Sequence, residues 1–407
     1  MTRVAVLGAG FQGTCVALEL ALRGVEVDLY DCNDRCITQA GYANEGKIHL
    51  GFVYANDRTF DTAKLMARGA LAFGRAVYRW TACDIATIGV STPFDYVVHR
   101  TTMVSTESIA GHFAKVDKFA RELMAATGHA YLGINQREPF FRLSPEKLGS
   151  LYDPDVAAAV FETSERSLNA KQLANILRKR IADEPRVTFT PRSQVTEITH
   201  AAVGYEVSCV IDGIPVREMY QQVVNCLWDG KLKLDHSIGL VPERQWLHRL
   251  KYGITVLLKR ADAAIPSVTI LVGSYGDIVR FNDRHFYLSW YPTCLAGLSG
   301  DVSPPAWPRM LSGAAAQSIT ESTIGGLARI VVPLRQVDGG SIESGTVAGG
   351  IIMAAGTTDI DDPNSGLHRR TSVGVRSIGG CHSVDTGKYT LAPMFALEIA
   401  DRVCGAC

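Results

Sequence analysis

Two short apolar runs flank a helical pattern in the first thirty residues of the chain. Apolar side chains dominate residues 3–7 and 25–30, whereas alanine and leucine recur at helical spacing along residues 14–22. Short apolar runs are typical of buried strands, and recurrence every three or four residues is typical of a helix. The N-terminal pattern therefore predicts a strand, a helix and a second strand, which together form a βαβ unit.

Further along the chain, stretches of helical spacing alternate with short extended runs that are separated by Gly, Asp and Pro. The helical stretches predict helices at residues 59–80, 108–126, 168–181, 314–327 and 389–403. The extended runs predict strands at residues 95–104, 187–190, 194–198, 205–211, 219–226, 252–258, 267–272, 277–281, 285–291 and 349–355. The Asp212-Gly213 pair predicts a hairpin turn. We expect the strands between residues 252 and 291 to form an antiparallel sheet, so one α/β domain is interrupted by a β-rich one.

Charge and composition narrow the classes of partner. The 407 residues include 41 Lys or Arg and 41 Asp or Glu, and this balance provides no field that would attract nucleic acid or an anionic membrane. We therefore expect a small-molecule substrate and no nucleic-acid partner. The apolar run before Gly8 is too short for a signal peptide, and no run approaches the roughly 20 residues of a membrane span. We expect a cytoplasmic protein with no membrane span.

Ten cysteines are spread thinly along the chain. Cys32 and Cys36 form one close pair, and Cys404 and Cys407 form another at the C-terminus. A zinc site needs a second pair of ligands, which neither pair has nearby in the sequence. We therefore expect no metal site and no disulfide framework.

A glycine-rich loop follows the first predicted strand and opens the first predicted helix; it reads Gly8-Ala9-Gly10-Phe11-Gln12-Gly13. The first glycine allows a tight turn, the second lets a pyrophosphate approach the backbone, and the third lets the helix pack closely on the strand. Asp31 ends the next strand, where a carboxylate accepts hydrogen bonds from the adenosine ribose and disfavours a 2′-phosphate. This context predicts dinucleotide binding, by FAD or NAD rather than NADP.

Two further segments resemble the D-amino-acid oxidase-like superfamily, which includes glycine oxidase, sarcosine oxidase and L-2-hydroxyglutarate dehydrogenase. Residues 41–51, which read GYANEGKIHLG, are similar to its flavin-facing loop. Residues 380–393, which read GCHSVDTGKYTLAP, resemble the segment that brings a second helix N-terminus to the flavin. The superfamily commonly has Glu at the ribose position, where this chain has Asp31, and this departure weakens assignment to any one subfamily.

The resemblance implies an α/β fold with a Rossmann-type FAD-binding domain and a discontinuous second domain built on an antiparallel β-sheet. It implies that residues 1–80, 151–234 and 345–407 bind FAD and that residues 81–150 and 235–344 form the substrate domain. The cofactor-binding residues that the fingerprint and the resemblance imply are Gly8, Gly10, Phe11, Gln12, Gly13, Asp31, Asn44, Gly46, Lys47, Ile48, Val195, Gly380, Gly387, Lys388, Tyr389 and Thr390.

The resemblance also implies hydride transfer from a carbon bearing nitrogen or oxygen to N5 of the flavin. His49 is the candidate general base, because an imidazole titrates near neutrality; the alternative is a histidine that only packs against the flavin. Tyr291 is a candidate pocket residue in an aromatic strand. Arg369, or its neighbour Arg370, is a candidate clamp for a substrate carboxylate, with a surface ion pair as the alternative.

Four functions remain open on these grounds. The first is oxidation of an amine or amino acid at its C–N bond. The second is a 2-hydroxy-acid dehydrogenase that acts on a C–O bond and passes electrons to a quinone or a carrier. Oxygen reactivity would separate the two, and the possible electron acceptor overall is oxygen, a quinone or a carrier protein. The third is a flavin-bound subunit without turnover of its own, and the fourth is an NAD-dependent dehydrogenase, which the C-terminal segment disfavours.

Overall fold

The computed structural model describes residues 3–134 and 139–405, so Cys407 of the C-terminal cysteine pair lies outside the described residues. The strands of these residues, in chain order, are β1 (Arg3–Leu7), β2 (Glu26–Tyr30), β3 (Lys47–Ile48), β4 (Phe94–His99), β5 (Phe141–Leu143), β6 (Ala157–Thr163), β7 (Arg166–Ser167), β8 (Val187–Thr190), β9 (Ser193–His200), β10 (Tyr205–Ile211), β11 (Ile214–Tyr220), β12 (Gln222–Asn225), β13 (Trp246–Leu258), β14 (Ser267–Leu271), β15 (Gly276–Arg280), β16 (His285–Trp290), β17 (Leu295–Ser299), β18 (Met310–Leu311), β19 (Ile342–Ala355), β20 (Gly374–Ile378) and β21 (Cys381–Asp385).

The helices of the same residues are α1 (Phe11–Leu22), α2 (Asp61–Thr81), α3 (Thr106–Thr127), α4 (Ala170–Ala182), α5 (Lys231–Ser237), α6 (Tyr291–Cys294), α7 (Gly313–Ala328) and α8 (Ala392–Gly405). None of them combines the length and the apolar character that a membrane-spanning helix needs. The final helix was predicted to start at residue 389, but Tyr389–Leu391 form a separate 3₁₀ turn before α8.

The N-terminal strands build a six-stranded sheet in the order β20-β21-β12-β1-β2-β8. Strand β1 pairs in parallel with both β2 and β12, and α1 connects β1 to β2. The predicted βαβ unit is therefore confirmed. In such a sheet the carboxyl ends of the parallel strands meet at one edge, where ligands of this fold class bind.

A ten-stranded sheet forms the second part of the molecule, in the order β18-β19-β13-β16-β15-β14-β4-β6-β5 with β17 on β13. Its pairs are antiparallel, as predicted, except that β4 and β14 run in parallel. Strands β6 and β19 belong to this sheet, whereas the predicted boundaries gave residues 151–163 and 345–355 to the FAD-binding domain. An apolar run shows that a strand forms but not which sheet it joins.

The predicted strand at residues 219–226 is two strands in two sheets. Strand β11 ends at Tyr220, which pairs with Tyr205 in a three-stranded sheet, and β12 begins at Gln222 and pairs with β1. The chain changes sheets at Gln221 within one continuous extended run. The hairpin at Asp212-Gly213 is confirmed, because Ile211 pairs with Ile214 across it.

Candidate functional site

The glycine loop leaves the end of β1 and opens α1. Gly8 has a φ of 94°, in the region that favours glycine. A Cβ on Gly13 would lie 1.8 Å from the carbonyl oxygen of Gly8, so only glycine allows this helix to pack against this loop. A Cβ on Gly10 would meet no atom within 4 Å, and Gly10 lines a cavity. Helix α1 has no side-chain cap, which leaves its first N–H groups available to phosphate oxygens.

Asp31 lies at the end of β2, directly beside this loop. Its Oδ2 accepts a hydrogen bond from the backbone N–H of Ala9 at 2.7 Å, and its Oδ1 accepts one from the N–H of Asn33 at 2.9 Å. The carboxylate thus holds the glycine loop in place. Oδ1 also accepts a hydrogen bond from the side-chain amide of Asn33 at 2.6 Å. Because each carboxylate oxygen accepts about two hydrogen bonds, the remaining acceptor capacity for a ribose hydroxyl is on Oδ2.

The C-terminal segment meets the glycine loop through two side chains of α1. Gln12 donates from Nε2 to the carbonyl oxygen of Ala392 at 3.1 Å, and its Oε1 accepts from the hydroxyl of Thr386 at 2.9 Å. The ring of Phe11 stacks on that of Tyr389, with centroids 4.0 Å apart. Both ends of the chain therefore contribute to one site.

A cavity of about 380 Å³ runs from the glycine loop to the ten-stranded sheet. It combines bare backbone at Gly10, an uncapped helix start, a carboxylate at the end of β2 and the C-terminal segment at Gly387. A dinucleotide needs the first three features, and a second backbone segment suits a flavin ring. The residues of this cavity therefore fit FAD.

Residues 44–51 include β3, which pairs antiparallel with β7 in a small two-stranded sheet. The side-chain oxygen of Asn44 accepts a hydrogen bond from Gly46 N–H at 2.7 Å and shapes the turn. The ammonium of Lys47 lies 3.0 Å from Oδ1 of Asp277, donates to the hydroxyl of Thr269 and sits 3.8 Å from the centroid of the Phe94 ring. Lys47 thus fastens this loop to the ten-stranded sheet.

His49 lies two residues after Lys47 and also lines the cavity. Its Nδ1 lies 3.3 Å from Oε1 of Glu165, a fully buried carboxylate, but the two atoms are not aligned for a hydrogen bond, and its Nε2 has no hydrogen-bond partner among the described residues either. Burial lowers the pKa of His49, Glu165 raises it, and Lys388 and Lys47 lower it further, with a net lowering. The imidazole is therefore neutral at pH 7 and able to accept a proton.

Charged groups cluster along the wall of the cavity near His49. Burial lowers the pKa of Lys388 to about 8, with Glu45 opposing this change and Arg370 and Lys251 adding to it. The pKa of Asp277 is depressed, because Lys47 and Lys251 outweigh the effect of burial. The wall therefore carries ionised groups of both signs at neutral pH.

Arg370 and Tyr54 line the same cavity and are both buried. The guanidinium donates from Nη1 to the carbonyl oxygen of Met353 at 3.1 Å, but its Nε and the hydroxyl of Tyr54 have no hydrogen-bond partner within residues 3–134 and 139–405. Unpaired buried donors are costly unless a ligand satisfies them. Tyr291 also lines the cavity, and its hydroxyl donates to Oδ1 of Asp359 at 2.7 Å.

Most of the predicted site residues line this cavity; they are Gly8, Gly10, Phe11, Gln12, Asp31, Asn44, Lys47, His49, Tyr291, Gly387, Lys388 and Tyr389. Gly13, Gly46, Ile48 and Thr390 lie just behind it: a Cβ on Gly46 would strike the carbonyl oxygen of Leu168, and the Thr390 hydroxyl accepts the N–H of His49.

The structure does not bring three predicted residues to the cavity. Arg369 is exposed, whereas Arg370, the next residue of the same loop, is buried and lines the cavity. The side chain of Val195 packs in a separate apolar core. Gly380 forms the turn between β20 and β21, close to the carbonyl oxygen of Gln221.

Sequence reasoning missed Glu165, Tyr54, Thr269 and Asp277. For Asp277 the sequence contains a weak indication of a functional role, because it is an acidic residue in a predicted strand. Glu165 gave none, because it reaches His49 only through the pairing of β7 with β3.

Comparisons with known proteins agree with this geometry. A family model described as DAO, FAD dependent oxidoreductase, matches residues 3–307. The chain is similar to the glycine oxidase of Geobacillus kaustophilus, with a TM-score of 0.68, 15% identity and coverage of 100% of this chain and 95% of that one. The iminodiacetate oxidase of Chelativorans sp. BNC1 gives a TM-score of 0.65 at 16% identity, over 99% and 95% of the chains. The L-α-glycerophosphate oxidase of Mycoplasma pneumoniae, with FAD bound, gives 0.64 at 15% identity, also over 99% and 95%.

Proposed function

This chain belongs to the DAO family of FAD-dependent oxidoreductases, and from that premise we propose that it oxidises a small molecule at a C–N bond, in an amine or an amino acid. FAD, when bound, accepts the hydride that leaves the substrate carbon. The residues of the chain then have three tasks: to hold the cofactor, to orient the substrate and to move a proton.

We assign the cofactor to the residues that line the glycine loop and the C-terminal segment. The N–H groups at the start of α1 would hold the pyrophosphate, Asp31 would hold the ribose, and Gly387 and Lys388 would hold the flavin. Asn44 and Gly46 shape the loop that brings Lys47 and His49 to the cavity.

The proposal of a substrate with a carboxylate rests on one observation, the burial of Arg370 in the cavity with a donor that no described residue satisfies. Its guanidinium is buried and lines the cavity, and its Nε has no hydrogen-bond partner among the described residues. The hydroxyl of Tyr54 is likewise buried at the cavity and has no hydrogen-bond partner among them. A guanidinium and a phenol together match the oxygens of a carboxylate. An amino acid therefore fits this cavity better than an amine without a carboxylate.

The free Nε2 of His49 favours a second candidate, a 2-hydroxy acid oxidised at its C–O bond. An alcohol must lose its hydroxyl proton as hydride leaves, so its oxidation needs a base, whereas an amine that arrives deprotonated does not. The same Arg370 and Tyr54 would bind the carboxylate of either substrate.

The experiment that separates these functions is an anaerobic bleaching screen of the purified FAD-loaded protein. Amino acids and hydroxy acids of the same carbon skeleton are compared as matched pairs, in both enantiomers, by the loss of the long-wavelength flavin band. Bleaching by amino acids alone supports C–N oxidation, and bleaching by hydroxy acids alone supports the second candidate. Flavin that no member of either class bleaches argues for a subunit without turnover. Reoxidation by air or by a quinone analogue then identifies the electron acceptor.

A further inference from the structure

We propose that Glu165 is the positioning residue for His49: it fixes the imidazole as the Nδ1–H tautomer and leaves Nε2 as the acceptor of the substrate proton. This inference rests on the proposed function for the identity of the proton donor.

The backbone places Glu165 opposite His49. Strands β3 and β7 pair antiparallel, with Ile48 facing Arg166, so the next residues outward along the two strands are His49 and Glu165. The N–H of Leu50 donates to Oε2 of Glu165 at 2.7 Å, and the N–H of His49 donates to the hydroxyl of Thr390 at 2.9 Å. The hydrogen bonds of the His49 and Leu50 backbone N–H groups therefore fix the position of the histidine.

Both oxygens of the Glu165 carboxylate accept a hydrogen bond. Oε1 accepts from the hydroxyl of Tyr96 and lies 3.3 Å from Nδ1 of His49, and Oε2 accepts from Leu50. Tyr96 and Leu50 each donate a hydrogen bond to this fully buried carboxylate, and Nδ1 of His49 lies beside it. An ionised carboxylate is an acceptor only, so the proton of a neutral His49 lies on Nδ1.

The charges around the imidazole agree with this role. Lys47 and Lys388 face His49 as cations and Glu165 faces it as an anion, and the pKa of Glu165 is lowered because His49, Lys47 and Tyr96 outweigh its burial. In the proton step the substrate N–H or O–H bond breaks and an Nε2–H bond forms. The imidazolium that results lies beside the Glu165 carboxylate, which stays ionised and stabilises it.

The test compares Glu165→Gln with Tyr96→Phe, which removes another donor to Oε1 but keeps the carboxylate. Two-bond ¹H–¹⁵N correlation spectra of histidine-labelled, oxidised, FAD-loaded protein report the tautomer of His49, assigned with His49→Asn. We expect the Nδ1–H tautomer in the unmodified protein and in Tyr96→Phe. In Glu165→Gln we expect a shift towards the Nε2–H tautomer and a lower pKa of His49. This measurement needs no substrate, so it is independent of whether the proposed function is correct.

Kinetics with the substrate found by bleaching supply the second readout. Glu165→Gln should lower kcat by about tenfold or more, within the range of general-base contributions, and move the acidic limb of the kcat/KM profile to lower pH, while KM changes little. Glu165→Asp, which keeps the charge, should restore part of the rate. An Nε2–H tautomer in the unmodified protein, or a Glu165→Gln protein with an unaltered His49 spectrum, would overturn the proposal. If Glu165→Gln does not fold, the tautomer of the unmodified protein still decides.

Discussion

The rings of Phe11 and Tyr389 stack at a centroid distance of 4.0 Å and an interplanar angle of 14°, although the two residues come from opposite ends of the chain. Phe11 is the first residue of α1, and Tyr389 begins the turn that leads into α8. The stack joins the glycine loop to the C-terminal segment of the cofactor site. The site is therefore complete only when both ends of the chain have folded.

Substitutions at Tyr389 test this coupling. The Tyr389 hydroxyl is buried and makes no hydrogen bond with any described residue. Tyr389→Phe keeps the stack and removes that hydroxyl, so we expect the free energy of unfolding of the FAD-free protein to rise by about 1 kcal/mol. Tyr389→Ala loses the ring and should lower it by about 3–5 kcal/mol and release FAD. Urea unfolding of both variants measures the difference, and a less stable Tyr389→Phe would show that the hydroxyl has a partner.

The elements that could be predicted from the sequence are those whose pattern is local. The strand at residues 3–7, the hairpin at Asp212-Gly213 and the helix after the glycine loop were recognisable because periodicity and turn residues reveal them. The split at Gln221 and the sheet membership of β6 and β19 were not, because pairing partners come from distant parts of the chain. The sequence could not show whether Arg369 or Arg370 points into the cavity, because side-chain directions in a loop follow no fixed period.

Glycines 10 and 13 should respond differently to alanine. Gly13→Ala places a methyl group 1.8 Å from the Gly8 carbonyl oxygen, so we expect a lower melting temperature even without FAD. The methyl group of Gly10→Ala meets no atom of residues 3–134 and 139–405 within 4 Å but stands where we place the pyrophosphate. It should leave the melting temperature of the FAD-free protein unchanged and weaken FAD binding at least tenfold, which is about 1.4 kcal/mol.

Gly325→Ala is the matched control for both, because Gly325 lies inside α7 with open space around it. We expect it to keep FAD affinity and to stabilise the fold by up to about 1 kcal/mol. Melting curves and FAD titrations of the three variants provide the comparison. Equal FAD affinity in Gly10→Ala and Gly325→Ala would argue against the pyrophosphate assignment.

Lys47 fastens the flavin-facing loop to the ten-stranded sheet through Asp277. Lys47→Met leaves the partly buried Asp277 carboxylate with Lys251 as its remaining cation, which should cost about 1–3 kcal/mol of unfolding free energy. The double variant Lys47→Met with Asp277→Asn removes that charge and should recover a large part of the loss. A double-mutant cycle by urea unfolding measures the coupling. Additive single effects would mean that the two side chains do not stabilise each other.

The stability of the FAD-loaded protein should depend on pH through Asp385. Burial raises the pKa of this carboxyl to about 6, against the opposing effect of Lys231. The folded state then binds the proton more tightly than the unfolded state, so stability is lost as the pH rises from about 4 to about 6. Asp385→Asn lacks this titration. Its melting temperature relative to the unmodified protein should rise between pH 4 and pH 7, by the equivalent of about 3 kcal/mol; a constant difference would contradict the assignment.

Arg369 and Arg370 form a pair in which each residue is the control for the other. Arg370 is buried at the cavity and Arg369 is exposed. If Arg370 binds the substrate carboxylate, Arg370→Met should raise KM for an amino or hydroxy acid by about a hundredfold, because charge-assisted hydrogen bonds are lost. Arg369→Met should change KM by less than about twofold, since surface charges contribute little.

The decisive measurement for Arg370 compares the preferred acid with the analogue that lacks its carboxylate. Arg370→Met should lower kcat/KM for the acid and leave that for the analogue almost unchanged, because only the acid loses a contact. Arg370→Lys keeps the charge but not the planar pair of donors, so it should restore part of the affinity. Equal losses for the acid and the analogue would mean that Arg370 supports the cavity wall through Met353 rather than binding the carboxylate. Spectral titration of the bound flavin with a non-oxidisable carboxylate separates these two roles without turnover.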